Sequence, residues 1–158
     1  MDSVHCQAKY LVPKVREMYS LKTEATRARN SDVDKQLRSK YRDTPNLELA
    51  GFKVGFEKDK ILEKSWILVN TSVSEGLPVS FLEAAAHHCV ILSPHDPDGF
   101  TSNFGYHVHN DIVEGLRVLL SNDQWRKQGS RGYDYVSKVH ELNKVVDMHI
   151  NAYNRLLC

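Results

Sequence analysis

Two glutamates eight residues apart, Glu75 and Glu83, flank a turn and the opening of an apolar run in Asn70-Thr71-Ser72-Val73-Ser74-Glu75-Gly76-Leu77-Pro78-Val79-Ser80-Phe81-Leu82-Glu83-Ala84-Ala85-Ala86. Pro78 is suited to the first position of a helix, where its missing N–H would have no partner anyway. The amides of Val79, Ser80 and Phe81 then lack intrahelical acceptors, and with the helix dipole they form a site for an anion such as phosphate. Such a site favours negative charge by roughly 0.3–2 kcal/mol. Gly76 lets the backbone approach a ligand closely, and the three alanines let the helix lie tightly on a sheet. A carboxylate beside an anion must be aimed at something else, and hydroxyl groups are its natural partners. Glu75 and Glu83 could each accept from vicinal diols on either side of a pyrophosphate, the layout of a nucleotide sugar. The plainer reading is a turn acid at Glu75 and a solvent-facing helix residue at Glu83.

The flanking elements predict how this segment is held. Leu47-Glu48-Leu49-Ala50 reads as a short strand closed by Gly51, 59–65 as a short helix, and Trp66-Ile67-Leu68-Val69 as a strand. A helix over 78–88 follows, then Val90-Ile91-Leu92-Ser93, a continuous apolar strand that only a sheet covered on both faces can hide. A fourth strand is expected over 104–108. Helical spacing then runs through Ile112, Leu116, Leu119 and Leu120, through Trp125, Tyr133 and Val136, and through Val146, Ile150, Tyr153 and Leu157. Strands alternating with helices imply an α/β fold, a parallel sheet that binds ligands at the carboxyl ends of its strands. The segments to watch are therefore 70–80 and 93–105.

Residues 1–45 carry ten Lys or Arg against six Asp or Glu, whereas residues 46–158 carry eleven against fourteen. The spacing of Tyr10, Leu11, Val15, Met18 and Tyr19 predicts a helix, and a weaker one follows over 22–43. Arg27, Arg29, Lys35, Arg38, Lys40 and Arg42 are interspersed with acids and no aromatic residue is placed to stack on bases, so they read as a solvated face, with no nucleic-acid partner expected. The 158-residue chain has a formal net charge of +1 and suits one ordinary domain. No apolar run approaches the length of a transmembrane segment, and no leader pattern opens the chain. Cys6, Cys89 and Cys158 have no paired spacing, so neither a disulfide framework nor a zinc knuckle is expected.

Residues 72–86 resemble the S-x-x-E-G-x-P-V-[ST]-x-x-E-A-x-A signature, the E-x7-E motif, of retaining GT-B glycosyltransferases of the "group 1" type. Upstream, Asn46-Leu47-Glu48-Leu49-Ala50-Gly51 is similar to that family's N-V-x-F-x-G strand. Downstream, His88-Cys89-Val90-Ile91-Leu92-Ser93 is similar to its G-x-P-V-V-x-S strand, and Phe104-Gly105-Tyr106-His107-Val108 to its x-G-x-x-V strand. The likeness covers about residues 46–157. It implies that 46–158 form a Rossmann-like domain, the C-terminal, donor-binding half of a GT-B fold, behind a basic helical segment over 1–45.

On this resemblance Glu75 is the catalytic-site residue, contacting donor-sugar hydroxyls. Ser72, Gly76, Leu77, Val79 and Ser80 hold sugar and phosphate, Glu83 accepts from the ribose, and Phe52 and Lys53 lie near the base. The implied substrate is a UDP- or GDP-linked sugar, the acceptor is a glycan or lipid recognised by an absent N-terminal half, and neither metal nor cofactor is needed. The implied location is the cytoplasm, with contact to the membrane face through the absent half. Three features depart from the family pattern: the basic pair that clamps the diphosphate has no equivalent, His88 replaces a helix-ending glycine, and His95-Asp96-Pro97-Asp98-Gly99 replaces a Gly-Gly turn. The missing basic pair, together with the absent acceptor half, motivates an alternative, a non-catalytic nucleotide-sugar-binding or partner-docking module. Asp96-Pro97-Asp98 reads as a turn rather than a metal-binding D-x-D, and His95, His107 and His109 lack a fourth ligand.

Overall fold

The computed structural model describes residues 9–13, 23–26, 31–72, 76–109 and 111–157. Their strands are β1 (Lys9–Pro13), β2 (Thr23–Thr26), β3 (Leu47–Glu48), β4 (Ser65–Asn70), β5 (Val90–Ser93) and β6 (Gly105–His107). The helices are α1 (Ser31–Lys40), α2 (Gly55–Glu63), α3 (Val79–Ala86), α4 (Phe100–Phe104), α5 (Ile112–Leu120), α6 (Gln124–Val139) and α7 (Leu142–Leu156). The sheet runs β3-β2-β1-β4-β5-β6.

Strands β4, β5 and β6 are mutually parallel and flanked by helices, an α/β arrangement consistent with a Rossmann-like fold. Every side chain of β5 is buried, as its continuous apolar run requires. Alternation along β4 and β5 separates two cores. Leu68 and Ile91 face Leu62 of α2, Phe81, Ala84 and Ala85 of α3, and Phe100 of α4. Ile67, Val69, Val90 and Leu92 face Leu119 of α5 and Trp125 of α6, whose ring stacks on Trp66 at 4.4 Å.

The amino-terminal part differs from expectation. Residues 9–13 form a strand antiparallel to both β2 and β4, and residues 23–26 form another, so the basic segment is not simply helical. Pro13 explains part of the difference, because it would cost about 3 kcal/mol inside a helix and here ends a strand at a register shift. Pairing with β4 outweighs the weak helical spacing of Tyr10 and Leu11. The expected 10–19 helix otherwise falls outside the described residues, and the 22–43 helix shortens to α1. Strand β3, expected over 47–50, is only two residues long and sits at the outer edge beside β2, three strands from β4. Helix α2 begins at Gly55, earlier than the spacing predicts, and α4 was not expected at all.

Helix α3 ends in a left-handed turn. His88 has φ 58°, its amide donates to Ala85 O, and the Cys89 amide donates to Ala84 O, a Schellman closure on a residue other than glycine. The His88 ring stacks on Tyr133 of α6 with centroids 4.0 Å apart. Cys89 is buried, its thiol directed at Leu62 O and Ser65 O, which makes it a packing residue.

Candidate functional site

The parallel strands end at one rim, marked by Asn70, Ser93 and His107. Of the five buried polar residues among those described, Asn70, Ser72 and Ser93 lie in or just after these strand ends, and Thr101 lies in α4, its hydroxyl donating to His95 O at 2.7 Å in the loop after β5. Asn70 Oδ1 accepts from the Ser72 amide at 3.1 Å and from its hydroxyl at 2.8 Å. This turn redirects the chain from β4 towards α3. The Asn70 Nδ2 group is buried with no hydrogen-bond partner among the described residues.

Pro78 stands immediately before α3, with φ −70° and ψ 135°, as its N-cap rather than its first residue. The Phe81 amide donates to Pro78 O at 2.9 Å. One of the three amides expected to face an anion is therefore spent inside the turn, which narrows the cradle to the first two positions of α3. Val79 is exposed, Ser80 half-buried, and Leu77 packs its side chain onto the core. Gly76 is exposed, and a methyl group built on it meets none of the described residues within 4 Å. Ser72 directs its hydroxyl at Asn70, so it shapes the turn. Glu75, with Val73 and Ser74, lies outside the described residues.

Glu83 lies one turn into α3, half-buried, and its carboxylate accepts a hydrogen bond from Lys58 of α2. Lys58 was missed at the level of sequence. Its signal was spacing: Ile61 and Leu62, three and four residues on, pack in the core, so Lys58 shares their face of α2. Of the two residues expected near a base, Phe52 is 60% exposed. Lys53 pairs with Glu57 at 3.5 Å, four residues on in the chain. Both belong to the loop that enters α2, the helix whose Lys58 reaches Glu83.

The second loop, after β5, is built around Asp96. Ser102 donates to it from its amide at 2.9 Å and from its hydroxyl, and His107 Nδ1 lies 4.0 Å away. Burial by itself would raise the Asp96 carboxyl's pKa. The Ser102 hydroxyl and amide, the His107 charge and the Thr101 amide outweigh it and hold the group below the ordinary carboxylate value. His107 Nε2 meets Pro94 O at 3.1 Å. Asp98 occupies a tight turn with φ 53°. Among the described residues no group of three His, Cys, Asp or Glu side chains could hold a metal ion. Nor is any described helix long and apolar enough to cross a membrane.

A carboxylate depressed by folding stabilises the native state above its unfolded pKa, about 3.9, and loses that contribution as pH falls through the lower folded value. Asp96→Asn is therefore expected to flatten the fall in stability as pH drops below about 4, measured by urea denaturation across the acid range. An unchanged slope would show that the Asp96 contacts contribute nothing.

Comparison with protein-family models and with curated proteins finds no match to the chain.

Proposed function

We propose that the chain is the donor-binding domain of a retaining glycosyltransferase, which transfers a sugar from a nucleotide-diphosphate donor to an acceptor held by another domain. The observation that carries the reading is the placement of two described stretches: a buried parallel strand that ends at Asn70, and a helix from Val79 that bears Glu83 one turn from its start. In α/β sheets this carboxyl-end position is the ordinary place for a phosphate-bearing ligand. The donor diphosphate would lie at the head of α3, with Val79 and Ser80 providing amides, Gly76 admitting the ligand to the backbone, and Glu83 accepting from the ribose. Glu75, which precedes them in the sequence, would contact the sugar, and departure of the diphosphate would be assisted by amide dipoles. No metal is required.

Calorimetric titration of the chain with UDP, GDP and their sugars tests the reading. Binding of at least one diphosphate is expected, weakened about tenfold or more by Glu83→Ala, since a hydrogen bond to a charged acceptor contributes roughly 1.5–3 kcal/mol. Absence of binding, or equal binding by the variant, would remove the assignment. The alternative of a non-catalytic module parts from it on turnover, because hydrolysis or transfer of a bound donor requires an enzyme.

A further inference from the structure

Lys58 and Glu83 form an ion pair between α2 and α3 at the head of the proposed donor site. Neither is a freely moving surface group: Lys58 is 30% exposed and Glu83 35%. The chain atoms carrying both are fixed, Lys58 by Ile61 and Leu62 on its own face and Glu83 by Phe81, Ala84 and Ala85. Holding the pair in one geometry therefore costs less side-chain entropy than an exposed ion pair would. Lys58 occupies Oε1 of the carboxylate, and among the described residues no hydrogen bond falls on Oε2. A carboxylate with one oxygen clamped presents the other in a defined direction and keeps acceptor capacity for a hydroxyl.

We propose that Lys58 is a positioning residue for nucleotide recognition: it clamps Oε1 of Glu83 so that Oε2 receives the ribose diol. Its charge also offsets the repulsion between Glu83 and a diphosphate at the start of the same helix. The inference rests on the donor-site reading above and adds to it a residue outside the motif that suggested it. It also supplies one cation where the expected basic pair has no equivalent.

The test is a ratio of affinities. Calorimetry would measure UDP and GDP against their 2′,3′-dideoxy counterparts, in the unaltered chain and in Lys58→Met and Lys58→Arg. The unaltered chain is expected to prefer the ribose form by about tenfold or more. Lys58→Met is expected to bring the ratio within about twofold, and Lys58→Arg to restore most of it, since a guanidinium can also clamp a carboxylate. A partly unfolded variant lowers both affinities equally and leaves the ratio unmoved, so loss of the ratio reports position rather than stability. A ratio kept by Lys58→Met overturns the proposal while sparing the donor site. Proportionate loss of both ligands by a variant that unfolds in urea as the unaltered chain does also overturns it, showing a direct phosphate contact. An unaltered chain that binds no diphosphate overturns the donor-site reading and the proposal together.

Discussion

Phe81→Ala is expected to lower the unfolding free energy by about 3–5 kcal/mol, measured by urea denaturation with an unchanged dependence on denaturant. The ring is fully buried at 0% exposure, surrounded by Leu62, Leu68, Ala84, Ala85, Cys89 and Ile91, with Phe100 tilted against it at 6.2 Å. Two of those neighbours are alanines, and two, Leu68 and Ile91, are strand residues held by pairing with each other and, for Ile91, with β6. None can lengthen to fill the space, so most of the cavity would persist. Phe81→Leu keeps much of the volume and is expected to cost only about 1–1.5 kcal/mol. A loss below that for the alanine variant would show that α3 does not rest on the sheet through this ring. Because Phe81 seats the first turn of α3, the same variant should also weaken binding of any ligand held at the head of that helix.

Gly105→Ala is expected to cost about 3 kcal/mol or more, seen as a fall in melting temperature of roughly 6–12 °C. A methyl group there would stand 2.1 Å from Ile91 O and 2.9 Å from Ile91 C, atoms of the β5 backbone that pairs with Gly105 in register. With φ near −166° at the end of α4, any residue could adopt this backbone, so the cost is contact alone. A side chain in the way could rotate, but a paired strand cannot yield without breaking the ladder. Gly129 repeats the situation, since its methyl would lie 2.2 Å from His88 O at the closure of α3. Gly76→Ala is the control: none of the described residues lies within 4 Å of its added methyl, and stability should change by less than about 0.5 kcal/mol. Equal melting of the Gly105 and Gly76 variants would contradict the β5–β6 pairing.

Both positions show how sequence and structure divide the explanation. The x-G-x-x-V pattern at Phe104-Gly105 marks a glycine before a strand, yet only the parallel partner of that strand shows what the missing side chain makes room for. His88 is similar. Its type argues against a left-handed cap, and the structure places it in one, closed by Ala84 and Ala85 carbonyls and stacked on Tyr133. The strain is offset by contacts that come from forty-five residues further along the chain.

The segment from Trp66 onward, α4 excepted, was readable because its signals are local. A buried strand on a two-sided sheet must be apolar throughout, a proline before an alanine-rich run opens a helix, and amphipathic spacing announces α5, α6 and α7. The element order β4-α3-β5 followed, and with it the rim where a ligand would bind. Three things depended on the folded chain. Strand β1 lies antiparallel between β2 and β4, because pairing energy between distant segments outweighs the faint helical spacing of 10–19. The Phe81 amide turns back on Pro78, since a tight first turn satisfies locally a donor that sequence rules leave open. The partnership of Lys58 with Glu83 joins residues on two helices, and side-chain spacing within one helix carries no information about which neighbour it meets across the sheet face. Periodicities and turns are local and a short run of residues carries them, whereas the contacts between elements are set by long-range packing that no such run contains.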